Sequence, residues 1–178
     1  MWRRSARPLP SSERPASASL ARLHGLVHEA QRRAQPAQDL SARTGEWWVR
    51  TYALGQLSVA ALELGDRHEA RQRAAESLEA AQRLGNLSAA GDALGLWAMA
   101  ELHDGRSEQA GRLFAIGERA YQQLGHGQWR PDAESYQRFS SELRASLGDR
   151  YEELLAEARD MNLEEAIAGL VRARPSDG

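Results

Sequence analysis

Apolar residues recur at helical spacing along the middle of the chain. One stripe occupies residues 46–64, at Leu54, Leu57, Ala61 and Leu64. A second stripe follows over 66–84, at Ala70, Ala74, Leu78 and Ala81, with charged residues between its members. Spacings of three and four predict amphipathic α-helices. Gly65 and Gly85 follow the two stripes, where glycine can enter the left-handed conformation that ends a helix.

The same arrangement returns after a shift of forty residues. Three glycine and alanine pairs share this shift: Gly25 with Ala30, Gly65 with Ala70, and Gly105 with Ala110. Another set of glycines has the same period, at Gly45, Gly85 and Gly125. The period predicts helix pairs over 46–85 and 86–125, preceded by a partial unit over 20–45. An alanine one turn into each second helix lets that helix approach its partner closely.

Beyond Gly125 the period stops, but helical patterns continue. We predict helices over 132–147, 150–161 and 163–174. The inward positions are expected at Tyr136, Phe139, Leu143, Tyr151, Leu154, Leu155 and Ala158. Asn162 is followed by an acid at the third position and is predicted to cap the last helix. We expect 131–174 to form capping helices at the end of the array.

The glycine-punctuated helix pairs resemble tetratricopeptide repeats, in which a glycine precedes an alanine by five residues. Those repeats are usually about 34 residues long, so a period of forty implies longer second helices. The resemblance implies an all-α fold, a right-handed α-solenoid of tetratricopeptide-like helix hairpins with C-terminal capping helices.

The C-terminal part carries a more specific resemblance. Its segments are Arg112-Leu113-Phe114 with Glu118, Leu124-Gly125, Tyr136, Leu147-Gly148, Ala156-Glu157-Ala158-Arg159 and Asn162-Leu163-Glu164-Glu165-Ala166. They resemble the C-terminal ends of large bacterial LuxR-type and signal-transduction ATPase transcriptional regulators. Ala158 stands where that family has glycine. The chain contains no lysine and no P-loop sequence, so the resemblance implies the noncatalytic sensor end, and we expect a fragment or remnant of a longer regulator.

Composition narrows the function classes. The 178 residues suffice for one domain or a short repeat array, and the net charge of -2 provides no overall positive field for nucleic acid or anionic membranes. Cysteine is absent, which excludes disulfides and thiolate zinc sites. We expect a cytoplasmic protein without a membrane segment. The Arg/Ser/Pro-rich stretch 1–19 is expected to be a disordered tail, and 175–178 a short second tail.

Catalytic and metal sites are weakly indicated. His24 and His28 have the spacing of a zinc pair but lack an obvious third ligand. Acidic residues gather near the C-terminus, at Glu152, Glu153, Glu157, Asp160, Glu164 and Glu165. Solvation of helix faces explains them more simply than acid–base catalysis. We therefore assign no catalytic residue, metal or cofactor, and we expect the core or an inter-repeat seam to hold most of Trp47, Trp48, Trp97 and Trp129.

Repeat arrays commonly bind partners on a concave face lined by their first helices. By resemblance to tetratricopeptide repeats, that face is expected to contain Tyr52, Gln56, Val59, Glu63, Asp92, Leu96, Met99 and His103. The leading hypothesis is a noncatalytic protein–protein interaction module, whose partner is a protein or peptide segment, a second copy or a parent regulator. The alternatives are a small enzyme with an acidic and histidine pocket, and a DNA-binding accessory protein.

Overall fold

The computed structural model describes residues 46–125 and 133–173, together with Pro36 and Asp39. The two ranges contain helices and turns but no strand. In chain order the helices are α1 (Trp47–Leu64), α2 (Arg67–Leu84), α3 (Leu87–His103), α4 (Ser107–Gln123), α5 (Ala133–Leu147), α6 (Arg150–Arg159) and α7 (Leu163–Arg172). The predictions for the tails at 1–19 and 175–178 lie outside the described residues, as does nearly all of the partial unit at 20–45.

Glycine ends the helices as the sequence predicts. Gly65 and Gly85 have φ angles of 77° and 66°, in the left-handed region. The side chain of Asp66 accepts a hydrogen bond from the backbone N–H of Glu69 at 3.0 Å, and Asn162 caps α7 in the same way. Several predicted bounds were one or two residues too wide, because capping residues lie outside the helix they stabilise.

Alanines and serines hold α1 against α2. Ala70 is fully buried beside Ala61 of α1 and Ala100 of α3. The hydroxyl of Ser58 donates to the backbone oxygen of Ala70 at 2.9 Å, which requires the two helices to lie close together. Ser77 donates in turn to the backbone oxygen of Thr51 at 3.1 Å. The small side chain predicted for this position therefore lies in the close contact.

Glycine sets the approach of α3 to α4. A Cβ placed on Gly117 would lie 3.3 Å from the backbone oxygen of Gly91, and a Cβ on Gly91 would lie 2.7 Å from the ring of Tyr121. A larger residue at either position would force the pair apart. These two glycines have no counterpart in the first pair, where Thr51 and Ser77 occupy the corresponding positions.

Successive helices pack on one another, and the C-terminal helices close over the second pair. α2 packs against α3 and thereby joins the two pairs, while α1 also touches α3. α5 and α6 pack on α4, and α7 returns to lie against both α2 and α4. One apolar core runs through α2–α7 and includes Leu78, Leu94, Trp97, Leu113, Phe114, Phe139, Leu143, Tyr151 and Ile167.

Aromatic rings connect α4 with α5 and α6. The ring of Phe114 lies 5.8 Å from that of Tyr136, 5.7 Å from Phe139 and 6.0 Å from Tyr151. Burial raises the pKa of the Tyr151 phenol. Of the seven inward positions predicted for this segment, five are buried, whereas Tyr136 and Leu155 are half-buried and pack against the core.

Candidate binding face on the first helices

The eight residues expected on the concave face form two stripes, on α1 and on α3. Tyr52, Gln56 and Glu63 are exposed on α1, and Val59 between them is half-buried. On α3, Asp92 and His103 are exposed. Leu96 and Met99 are half-buried and pack against the core from its outer side. We call these eight residues, with Trp48 discussed below, the first-helix face.

The two stripes lie side by side. A Cβ placed on Gly55 of α1 would lie 4.0 Å from the Cδ1 atom of Leu96 on α3. Because each pair is joined by a short turn, α1 and α3 run in the same direction. The forty-residue period then places Tyr52 level with Asp92, and Val59 level with Met99. The approach of Leu96 to Gly55 thus brings the two stripes into contact across the helices.

Trp48 extends the face beyond the predicted residues. Its ring stacks on that of Tyr52, with the centroids 6.4 Å apart and the planes within 8°. Both side chains remain open, 66% exposed for Trp48 and 64% for Tyr52. The expectation of a core or seam position was wrong for Trp48, because it lies four residues before Tyr52 and shares its outward direction. The spacing of positions 48, 52, 56, 59 and 63 contained that signal.

Asp92 is held in place from the second helix of its own pair. The phenol of Tyr121 on α4 donates a hydrogen bond to the carboxylate. The Tyr121 ring itself is buried against Gly91, where any side chain would displace it. The anchored phenol orients the exposed carboxylate. The resemblance to tetratricopeptide repeats places Asp92 on the face but gives no sign of this partner.

Charge is divided between first and second helices. From Thr51 to the end of α1, and throughout α3, the sequence contains three carboxylates and no arginine; the acids are Glu63, Asp92 and Glu101. α2 instead contains arginines paired with its own glutamates, such as Arg73 with Glu69 at 2.8 Å and Arg83 with Glu79 at 2.7 Å. Several of these α2 charges are half-buried in such pairs. The carboxylates of the first-helix face, Glu63 and Asp92, therefore lie on helix stretches that contain no arginine of their own.

A buried carboxylate lies at the end of α3. Glu101 is only 5% exposed, and it accepts hydrogen bonds from the indole N–H of Trp97 at 2.9 Å and from the guanidinium of Arg106. The hydrogen bond to Glu101 raises the pKa of Arg106. Each Glu101 oxygen already accepts a donor, so the group is suited to fixing the α3–α4 turn rather than to proton transfer. Sequence reasoning missed this cluster, because Arg106 joins it from beyond the turn that follows α3.

The C-terminal acids are exposed on α6 and α7, as their interpretation as solvated residues predicts. Arg150 nevertheless organises some of them, since it donates to Glu153 at 2.9 Å and to Glu157 at 2.6 Å. It also reaches Glu108 at the start of α4, and the Arg150 hydrogen bond lowers the pKa of that carboxyl. This ion cluster links α4 to α6 at the surface.

The predictions for the remaining tryptophans and for the histidine pair differ in how they compare with the structure. Trp97 is buried in the core, as expected. Trp47 is half-buried, and the guanidinium carbon of Arg83 lies 4.6 Å from its ring centroid. Trp129, His24 and His28 lie outside the described residues. Over 46–125 and 133–173, no cluster of three or more His, Asp or Glu side chains is placed to hold a metal ion.

Comparison of the chain with protein-family models, curated proteins and solved structures finds no match. The resemblance to tetratricopeptide repeats and to bacterial regulators therefore stays a prediction from the residues quoted above. Among the helices described here, none combines the length and the apolar character needed to cross a membrane.

Proposed function

We propose that the chain is a noncatalytic helical-repeat interaction module that binds a protein segment on the first-helix face. Its fold in this proposal is a short right-handed α-solenoid of tetratricopeptide-like hairpins. Equivalent helix pairs at a forty-residue shift, each packed on the next, support that architecture. The first helices α1 and α3 then form the inner, concave surface.

One observation carries the proposal. Trp48 and Tyr52 are more than half exposed, and half-buried Val59, Leu96 and Met99 continue the apolar surface from them. Exposed tryptophan and tyrosine are enriched where proteins bind each other, because a large apolar ring can be buried while its polar atom still finds a partner. A contiguous set on two adjacent helices marks an interaction surface more strongly than scattered exposed residues do.

The biological setting follows from the resemblance stated above. In a relative of LuxR-type and signal-transduction ATPase regulators, the bound segment would belong to a parent regulator, to another cytoplasmic protein or to a second copy of this chain. Shape and charge complementarity, rather than bond-making chemistry, would then determine the activity. The ion clusters around Glu101 and Arg150 support this view, since their hydrogen bonds connect helices to one another.

Selection from a displayed library of random linear peptides on the full chain tests the proposal. The double variant Gln56→Arg with Val59→Gln places bulk and polarity in the middle of the face. Selected peptides should lose at least about tenfold in affinity, as expected when an interface centre is disrupted. The matched control, Gln82→Arg, adds an arginine at an exposed position near the end of α2.

Circular dichroism confirms that both variants retain their helices before binding is compared. Peptides that bind the double variant as tightly as the unaltered chain would contradict the proposal. Sedimentation velocity on the same proteins shows whether the face also mediates self-association.

A further inference from the structure

We propose that Met99, between the two ends of the α3 stripe, is an oxidation site at which a peroxide weakens binding on the first-helix face. Oxidation would convert its thioether to methionine sulfoxide, and reduction would restore it. This inference rests on the proposed function and adds a means of regulating the same face.

Met99 carries the only sulfur atom of the first-helix face. The chain contains no cysteine, and its three methionines are Met1, Met99 and Met161. Cysteine thiolates and methionine thioethers are the side-chain groups that undergo stepwise oxidation in proteins. Because no thiol is present to react first, a peroxide that reaches this chain acts on its methionines.

The position of Met99 combines access to solvent with apolar surroundings. Its side chain is half-buried, so part of it is open to solvent, and it packs on the core from the outer side. Leu96, one turn earlier on α3, packs in the same way. The forty-residue shift equates Met99 with Val59 on α1, which is also half-buried. A segment bound to the apolar part of the face would therefore cover Met99.

The reaction transfers one oxygen atom and two electrons. The thioether sulfur attacks one oxygen of hydrogen peroxide, an S–O bond forms and the O–O bond breaks. The departing hydroxide takes the proton of the transferred oxygen and leaves as water, so sulfur is oxidised and peroxide is reduced. Methionine sulfoxide reductases reverse the change, with one enzyme for each epimer. With a dithiol as reductant, that step yields the thioether, a disulfide and water.

The added oxygen changes what the face can bind. Methionine sulfoxide is polar and carries a hydrogen-bond acceptor where the thioether was apolar. An apolar segment that covers Met99 would remove water from this oxygen without supplying a donor, which is unfavourable. In the unbound chain the oxygen can stay hydrated, because the side chain is partly open. Oxidation should therefore weaken binding and leave the helices in place.

Binding before and after oxidation tests the proposal. The probes are library peptides whose affinity for the full chain falls in the Gln56→Arg and Val59→Gln double variant. The chain is treated with hydrogen peroxide, and mass spectrometry measures the sulfoxide at Met99 and Met161. Affinity should fall about tenfold once Met99 is oxidised, and reductase treatment should restore it. A bound peptide should protect Met99 from peroxide but not Met161.

Two variants locate the effect, each compared with itself before and after peroxide. Met99→Leu keeps an apolar side chain of similar size that peroxide cannot oxidise, so peroxide should no longer change its affinity. Met161→Leu is the matched control, because Met161 is 41% exposed in the turn between α6 and α7. It should lose affinity on oxidation as the unaltered chain does. Circular dichroism after peroxide shows whether the helices are retained.

The outcomes separate this inference from the proposed function. Peptides that depend on the face but bind the chain equally well with Met99 oxidised would overturn the oxidation site and leave the interaction module standing. A loss of affinity that persists in Met99→Leu would also overturn it, as would a Met99 that peroxide does not modify. If no recovered peptide depends on the face, both proposals are wrong.

Discussion

The contact between α1 and α2 differs chemically from the junction of α4 with α5 and α6. The first is built from alanines and from serine hydroxyls that donate to backbone oxygens of the opposite helix. The second is built from four aromatic rings centred on Phe114. In the first region the backbones are close, whereas in the second large side chains fill the space between helices.

This difference determines which substitutions each region tolerates. A contact made by methyl groups and hydroxyls has no room for added volume, so enlargement should harm it. A contact made by rings depends on the volume it contains, so truncation should harm it. Enlarging a side chain should therefore be more harmful between α1 and α2, whereas truncating a side chain should be more harmful where α4 meets α5 and α6.

Phe114→Ala tests the aromatic junction and should have the largest effect. Removing a ring that touches three others leaves a cavity, and the free energy of unfolding should fall by about 3–5 kcal/mol. Urea denaturation followed by circular dichroism measures the change. Phe114→Leu is the milder control, and a loss below about 1 kcal/mol for the alanine variant would mean that the rings contribute little.

Ala70→Leu tests the alanine contact. Ala70 is surrounded by Ala61 and Ala100, so a larger side chain must push α1 and α3 away from α2. We expect a loss of about 1–3 kcal/mol, typical of overpacking. Ala145→Leu, at an exposed position of α5, provides the matched control. Equal stability of the two variants would show that the α1–α2 approach is not close.

Ser58→Ala removes one hydrogen bond between the helices. Its hydroxyl is buried, and the Ala70 oxygen that accepts it already takes part in the backbone bonding of α2, so a loss of about 1 kcal/mol is expected. Ser141→Ala removes another hydroxyl-to-backbone hydrogen bond, to the Gln137 oxygen at 2.7 Å, which lies within one turn of α5 at an exposed position. A loss at Ser141 as large as that at Ser58 would contradict the importance of burial.

Arg150→Gln should have the smallest effect, and that effect should depend on pH. The Arg150 hydrogen bond lowers the pKa of Glu108 in the folded chain. Its stabilisation is therefore present above the pKa of Glu108 in the unfolded chain and is lost as pH falls through the lower, folded value. The melting temperature of the Arg150→Gln variant should be slightly below that of the unaltered chain at neutral pH and low salt. In strong acid the two melting temperatures should be equal. A difference that grows toward acid pH would refute the assignment.

The helical organisation was predictable because it depends on local signals. Glycines after apolar stripes predict the helix ends, and Asn162 predicts a cap that the structure contains. The return of α7 to α2 was not predictable, since the contact joins segments about eighty residues apart. The apolar periodicity of α7 or of α2 does not show which other apolar surface the helix packs against.

The candidate face was predicted in part from the resemblance to tetratricopeptide repeats. That resemblance placed Tyr52, Gln56 and Glu63 on one side of α1, where the structure exposes them. The exposure of Trp48 was missed because a large aromatic residue is usually buried, and that general tendency outweighed the spacing. The hydrogen bond from Tyr121 to Asp92 depends on how two helices align, which one sequence does not reveal.

The position of α7 affects how the chain folds as it is made. Residues 163–172 leave the ribosome after both helix pairs have been synthesised, so the apolar strip that α7 covers on α2 and α4 stays uncovered from the completion of α4 until α7 emerges. Leu163 and Ile167 then enter the core together. The nascent protein consequently exposes apolar surface on α2 and α4 until α7 has been made.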